Sequence, residues 1–359
     1  MLLIDGIPVW GVPIDEAAPS QIRTCAATWA TRCPSAGEAA GPAGAEHPAL
    51  GSRVAPKGAN VNMPDMHGNL AFTRIPIWYL LLVVSATLIA SANDNLDVAY
   101  AKDHPAQHLD LYVPAAAKGF ATVVFVHGGS LTSGNKRDQD YGRVCSAFVK
   151  AGVACVSINY RLLQEGAWPA AADDTAAAFV WTERNIATRG GDPKRIFLVG
   201  HSSGARLAAT IATDEQFAKR AGFAVGDIRG IVVMGSIMRD QEFEDAAAQA
   251  PPEKVQRLFE TDQEYRAYGT PERYRDSWPM HHIHAGMPPV LFIIAEREKL
   301  QPPVLSSAQE FIAAAAKVGC RANYKIVSGG HMDEVRNLGS SADAVLPAIL
   351  EFIRVSTLR

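Results

Sequence analysis

The chain predicts an α/β fold, a mostly parallel sheet with helices on both faces, and three observations carry that expectation. Short continuous apolar runs recur from residue 109 onward, as strands buried on both faces require. Helix-length stretches separate them, and strand–helix alternation packs helices above and below a parallel sheet. Hydrophobic residues make up 48% of the 359 positions, enough to fill such a core and too many for a disordered polymer.

The elements follow in order. Leu109-Asp110-Leu111-Tyr112-Val113 alternates as a half-buried strand. Buried strands are expected at 121–126, 153–158, 196–199, 231–234, 290–294 and 324–327. Helices are expected at 138–151, 168–189, 203–214, 306–318 and 342–356. The second of these carries Pro169 near its first turn, and Phe179, Val180 and Ile186 on one apolar face. Between Ile237 and Pro289 lies an excursion of about fifty residues, charged and aromatic, with Phe243, Phe259, Tyr265, Tyr268, Tyr274 and Trp278. A cap at about 240–288 is expected there.

Composition removes several function classes. Thirty-four Lys and Arg against thirty-seven Asp and Glu leave a net charge of −3. No basic run marks a phosphate-neutralising face, so no nucleic-acid partner is expected. The five Cys form neither a disulfide framework nor a pair at zinc spacing. His281, His282 and His284 lie close in sequence, but adjacent side chains on an extended segment face opposite ways; no metal is expected. Without a Walker loop, and with no G-x-G-x-x-G opening the first helix, no cofactor is expected either.

The first ninety residues read differently. Residues 1–65 show no sustained apolar period, and stretches such as PSAGEAAGPAGA at 34–45 have nothing large to bury. In residues 66–92, His67 and Arg74 precede the uncharged run IPIWYLLLVVSATLIASA, which ends small-x-small at Ala90-Ser91-Ala92. That is the pattern of a secretory signal peptide. Translation is therefore expected to start at Met63 or Met66, with residues 1–62 or so a gene-start artefact. The domain at 93–359 would be secreted or periplasmic. The competing expectation is an uncleaved anchor, because eighteen uncharged residues just reach the span of a bilayer; only then would a membrane be a partner. Export leaves Cys145, Cys155 and Cys320. Cys145 and Cys155 flank one helix-to-strand connection and could pair, but their apolar surroundings favour buried free thiols.

Three signals for acyl transfer fall at strand ends. Gly200-His201-Ser202-Ser203-Gly204 joins an expected strand to an expected helix. Its small residues permit the strained turn that lifts a Ser202 hydroxyl above the sheet over a helix N-terminus. His127-Gly128-Gly129-Ser130 ends an earlier strand. Glycines let backbone N–H groups approach a developing oxyanion, and the amides of Gly129, Ser130 and Ser203 are the candidate donors. Gly128 belongs to the same loop, and His127 is expected to orient it. Gly329-Gly330-His331 follows the last strand, so His331 can swing in as general base. The acid should leave the strand at 290–294: Glu298 is the first choice, then Glu296, with Asp240 third.

Taken together, HGGS, GHSSG, the PPVLFII strand with an acid after it, and GGH resemble the α/β-hydrolase superfamily. The nearest likeness is to carboxylesterases and arylformamidase-like enzymes near the hormone-sensitive-lipase group. It covers Leu96 to Arg354 and includes Trp168-Pro169-Ala170-Ala171-Ala172-Asp173-Asp174 through Trp181 and the run Gly190-Gly191-Asp192-Pro193-Lys194-Arg195. The resemblance implies an α/β-hydrolase fold with a small cap and a triad of Ser202, Glu298 and His331. It also implies an oxyanion hole from Gly128, Gly129, Ser130 and Ser203, and a small-molecule ester substrate. Two departures stand out: the family usually has Asp at Glu298, and often Gly or an aromatic where Ser130 and Leu131 stand. The expected reaction is hydrolysis of short-chain carboxylic esters through an acyl-enzyme. Alternatives are formyl-kynurenine amide cleavage, acetyl or feruloyl polysaccharide deacylation, and a non-catalytic binding protein on the same scaffold. A lipase should carry a large exposed apolar lid, and 240–288 is polar.

Overall fold

The structure, a computed structural model, describes residues 2–4, 7–9, 95–115, 117–298 and 302–357. The signal-peptide segment 66–92 lies outside the described residues. The chain divides into two units, Met1–Phe72 and Thr73–Arg359. In the first, β1 (Leu2–Ile4) pairs antiparallel with β2 (Ile7–Val9); the sequence reading had not included this hairpin.

The second unit is built on one eight-stranded sheet. Its strands are β3 (Val98–Ala99), β4 (His108–Tyr112), β5 (Phe120–Val126), β6 (Ala154–Ile158), β7 (Gly191–His201), β8 (Ile228–Met234), β9 (Val290–Ala295) and β10 (Ala322–Val327). They lie in the order β10-β9-β8-β7-β5-β6-β4-β3. From β6 to β10 neighbours run parallel, whereas β4 meets β6 and β3 antiparallel.

Continuous apolar strands are explained by two cores, one on each face. Val124, Val126, Leu198, Ile231, Val233 and Phe292 point to one; Val123, Phe125, Phe197, Val232, Met234 and Leu291 point to the other. Alternate side chains of a strand take opposite faces, so both positions must be apolar. Helices Ala170–Asn185, Ser203–Thr213 and Pro302–Lys317 pack on the first face. Helices Val144–Lys150 and Val345–Thr357 cover the second. Among the described residues no helix is long and apolar enough to cross a membrane.

Two local expectations are corrected. The helix expected from residue 138 begins at Val144, because side chains compete for the backbone before it: Asp138 accepts the Asn135 N–H and Asn135 accepts the Arg137 N–H. Cys145 and Cys155 are not free thiols. They form a disulfide that ties helix Val144–Lys150 to β6, and Cys320 remains free.

Residues 240–288 fold as helices Gln241–Gln249, Pro252–Thr261, Gln263–Arg266 and Pro271–Asp276 and a 3₁₀ turn, Pro279–His282. Their aromatics gather into one cluster, with Phe243 4.8 Å from Tyr274 and Tyr274 4.9 Å from Tyr268 between ring centroids. Arg206, on the helix after the candidate nucleophile, lies 4.3 Å from the Trp278 ring centroid and donates to the Tyr268 hydroxyl. This cation–π contact seats the segment on the sheet domain.

Candidate active site

The C-terminal ends of four parallel strands supply the site: β5 leads to the loop at 127–131, β7 to Ser202, β9 to Glu298 and β10 to His331. Ligands in open α/β sheets bind at that edge.

Ser202 has φ 54° and ψ −128°, a strained backbone for a non-glycine residue. Its N–H bonds the Met234 carbonyl at 2.8 Å, extending the β7–β8 ladder into the turn. A side chain at Gly204 would run into the carbonyls of Val126 and His127, so glycine there lets the helix start against β5. The strained turn is thus enforced from both sides.

Gly128 packs against the nucleophile: a Cβ on it would lie 2.9 Å from Ser202 Cβ and 2.7 Å from the Tyr141 hydroxyl. This contact brings the loop and Ser202 together. The loop's carbonyls are bound internally. His127 Nδ1 donates to the Gly128 carbonyl at 2.7 Å, and Thr132 and Ser133 donate to the Gly129 carbonyl, each at 3.0 Å. In a planar trans peptide the N–H points opposite to the C=O. The Gly129 and Ser130 amides therefore face away from these contacts, as oxyanion donors must. Gly128 belongs to this loop through its close packing on Tyr141 and Ser202. Ser130 and Leu131 hold φ 54° and 60°. Leu131 is buried, and its N–H donates to Ser203 Oγ at 3.3 Å. That bond joins the loop to the residue after the nucleophile. His127 stacks on Tyr160 at 4.5 Å, and the Tyr160 hydroxyl donates to the His127 carbonyl at 2.8 Å, which fits an orienting role.

On the other side, His331 Nδ1 lies 2.6 Å from Glu298 Oε1. The structure thus brings His331 to Glu298. Glu296 is exposed, and Asp240 caps helix Gln241–Gln249 while accepting from the Tyr274 hydroxyl at 2.6 Å. Neither is in place to orient the imidazole.

Three functional neighbours escaped the sequence reading. His201 is fully buried; its Nε2 donates to the His331 carbonyl at 3.0 Å and its Nδ1 accepts from the Tyr141 hydroxyl at 3.0 Å. Tyr141, His201 and His331 are therefore one chain of hydrogen bonds, with Gly128 packed against the Tyr141 hydroxyl. Burial pulls the His201 pKa down to about 3 and pushes the Tyr141 hydroxyl up to about 12, so both stay neutral through the working range. Glu334, 1% exposed, is the third. His201 occupies a variable position of its motif and Glu334 follows His331 by three residues; in sequence alone neither carries a signal.

His201, His331 and Glu334 offer ligand atoms within 4.8 Å of one another. Both ring nitrogens of His201 and Nδ1 of His331 are already engaged, so the group is the rear wall of the site, not a separate metal centre. His281 bonds Glu244, His282 the Asp276 carbonyl and His284 the Ala285 carbonyl; these three diverge.

The chain spans about half the length of the curated relatives it matches. One is the probable carboxylic ester hydrolase LipM of Mycobacterium tuberculosis, 30% identical over 214 residues, 57% of this chain and 48% of that protein. Among solved structures, a truncated carbohydrate esterase from gut microbiota aligns with TM-score 0.60 at 17% identity, covering 75% of this chain and 99% of that one. The propionate-bound esterase Est2 of Thermogutta terrifontis aligns with TM-score 0.57 at 21% identity, covering 75% and 94%. These likenesses show the α/β-hydrolase fold. The BD-FAE family matches residues 109–310, more than half of the chain and the span from β4 through the candidate nucleophile and acid, and the protein belongs to that family of α/β-hydrolases.

Proposed function

We propose that the protein is a serine carboxylesterase that hydrolyses short-chain carboxylic esters through an acyl-enzyme. The observation that carries this reading is the convergence, at one sheet edge, of a strained Ser202, a backbone-donor loop packed against it, and a His331–Glu298 hydrogen bond of 2.6 Å. Ser202 Oγ attacks the ester carbonyl as His331 takes its proton, and Glu298 holds the imidazole and balances its charge. The amides of Gly129, Ser130 and Ser203 receive the oxyanion. His331 returns the proton to the leaving alcohol, and water then attacks the acyl-enzyme by the same route. The likeness to LipM, a probable carboxylic ester hydrolase, supports ester hydrolysis, and the propionate bound to Est2 supports a short acyl group. Among the described residues the exposed large apolar side chains are Leu96, Tyr324 and Val355; none lies in 240–288, which argues against a lipid-facing lid.

The domain at 93–359 acts after export, with 66–92 as its signal. The Cys145–Cys155 disulfide supports an oxidising compartment. A second reading, removal of acyl groups from polysaccharide, is favoured by the alignment with the gut carbohydrate esterase.

Turnover of p-nitrophenyl esters from acetate to laurate, beside the Ser202→Ala variant, tests the mechanism. Short-chain turnover that vanishes in the variant is expected; equal turnover in both overturns the reading. Acetate release from acetylated xylan, measured in parallel, separates the two substrate classes.

A further inference from the structure

Behind the His331–Glu298 pair stands a second buried carboxyl. Glu334 sits on the short helix Asp333–Arg336. Its Oε1 accepts the Ala295 N–H at 2.8 Å, fixing it to the end of β9, three residues before Glu298. Its Oε2 lies 2.8 Å from the point that a Cβ on Gly235 would occupy, and His331 Nδ1 lies 2.7 Å from that same point. Oε2 and the imidazole nitrogen that Glu298 holds thus border the same small space above Gly235.

Proton bookkeeping is the interesting part. Glu298 gives Oε1 to His331, while its Oε2 and that of Glu334 are buried with no N–H or hydroxyl donor among the described residues. Both carboxyl groups border the same imidazole nitrogen of His331, Glu298 by its hydrogen bond and Glu334 across the space above Gly235, and each is left with one buried oxygen to satisfy. Two carboxyl oxygens can hydrogen-bond only when one carries a proton, and like charges so close cannot both be kept.

The surroundings say which one keeps it. On its own helix Glu334 has Asp333 and Arg336, but Arg336 is bound to Asp140 at 2.6 Å and Asp333 to Arg297 at 2.6 Å. From the end of β7, His201 Nε2 lies 3.8 Å from Glu334 Oε2, yet that ring is neutral and gives its proton to the His331 carbonyl. Glu298 by contrast faces the imidazole that becomes positive during turnover. Burial, then the charge of Glu298, raises the Glu334 carboxyl well above the ordinary range.

We propose that Glu334 is a protonated positioning acid, which donates a hydrogen bond to Glu298 Oε2 and so holds the triad carboxylate against His331. This rests on the serine reading above. It gives the longer Glu at the triad position a second tether, offsetting its extra rotatable bond relative to Asp.

The test combines a spectroscopic and a kinetic readout. Infrared difference spectra of wild type minus Glu334→Gln should show a protonated-carboxyl C=O band at neutral pH that the variant lacks. The Gln amide keeps both a donor for Glu298 and an acceptor for Ala295, so it should rescue kcat to within a few-fold and leave the acid limb of the kcat/KM profile in place. Glu334→Met, similar in length without a donor, should lower kcat by about ten- to hundredfold with little change in KM, the loss of one hydrogen bond to a charge. A wild type without the band, an acid limb that moves down by a unit in Glu334→Gln, or full kcat in Glu334→Met overturns the assignment. The band needs no turnover. Its absence beside serine-dependent activity refutes Glu334 alone, whereas turnover surviving in Ser202→Ala refutes the mechanism beneath it.

Discussion

Replacing Tyr141 by Phe removes one oxygen from the chain of hydrogen bonds that ends at His331 and leaves the ring. Tyr141 is 8% exposed. Its hydroxyl donates to His201 Nδ1 at 3.0 Å and packs against Gly128. Without it, His201 Nδ1 is buried and orphaned, at about 1–3 kcal/mol. The expected loss lowers Tm by roughly 2–6 °C for a domain of this size. Gly128 also positions the peptides whose N–H groups face the oxyanion. A slackened loop should therefore cost about tenfold or more in kcat, part of the hundredfold or greater effect of deleting one such donor outright. Thermal unfolding followed by circular dichroism, with kcat and KM on p-nitrophenyl acetate, measures both; Tyr324→Phe at an exposed position serves as control. Unchanged Tm and kcat in Tyr141→Phe would show that the network carries neither stability nor alignment.

Other expectations follow from the same geometry. Glu298→Gln keeps the volume but removes the charge facing His331 and should lower kcat by about 10³–10⁴-fold; a loss under tenfold would move the orienting acid elsewhere. Gly204→Ala places a methyl against the Val126 and His127 carbonyls and should abolish the fold, read as loss of the cooperative unfolding transition. His201 is held neutral at pKa about 3 against an ordinary 6.5, so the unfolded chain binds more protons below pH 6.5. Stability should then fall as pH drops, by roughly 2 kcal/mol at pH 5, and His201→Gln should flatten that slope of the urea midpoint. Glu334, raised, acts in the opposite sense: its contribution is complete below the ordinary Glu range and declines as pH rises through its folded-state pKa. Cys155→Ala should cost about 3 kcal/mol under oxidising conditions, from reopening a loop of separation 10, and little when both proteins are reduced.

Sequence pattern told most where a residue type had few alternative uses. Runs such as Val123–Val126 read as strands because both faces needed apolar side chains, and Ser202, Glu298 and His331 were marked by position relative to strand ends. Gly128 was legible as a point of close backbone approach, but not that Tyr141 and Ser202 are what pack against it. The Cys145–Cys155 pair was missed since an apolar setting suits a thiol and a disulfide alike. Tyr141, His201 and Glu334 were illegible for a different reason. Their roles arise from contacts 39 to 130 residues apart, Glu334 to Ala295, Tyr141 to His201 and His201 to His331, and no local periodicity encodes a separation of that kind.

The sheet also acts as a partition. The cap aromatics and the helix after Ser202 share the core on one side, whereas Tyr141, Val335 and the C-terminal helix belong to the core on the other. The aromatic segment and the residues that back His331 consequently lie on separate faces of one wall. Changes at Phe243, Phe259 or Tyr265 should therefore carry little epistasis on the residues that back His331, and the far side can be stabilised without disturbing the aromatic cluster.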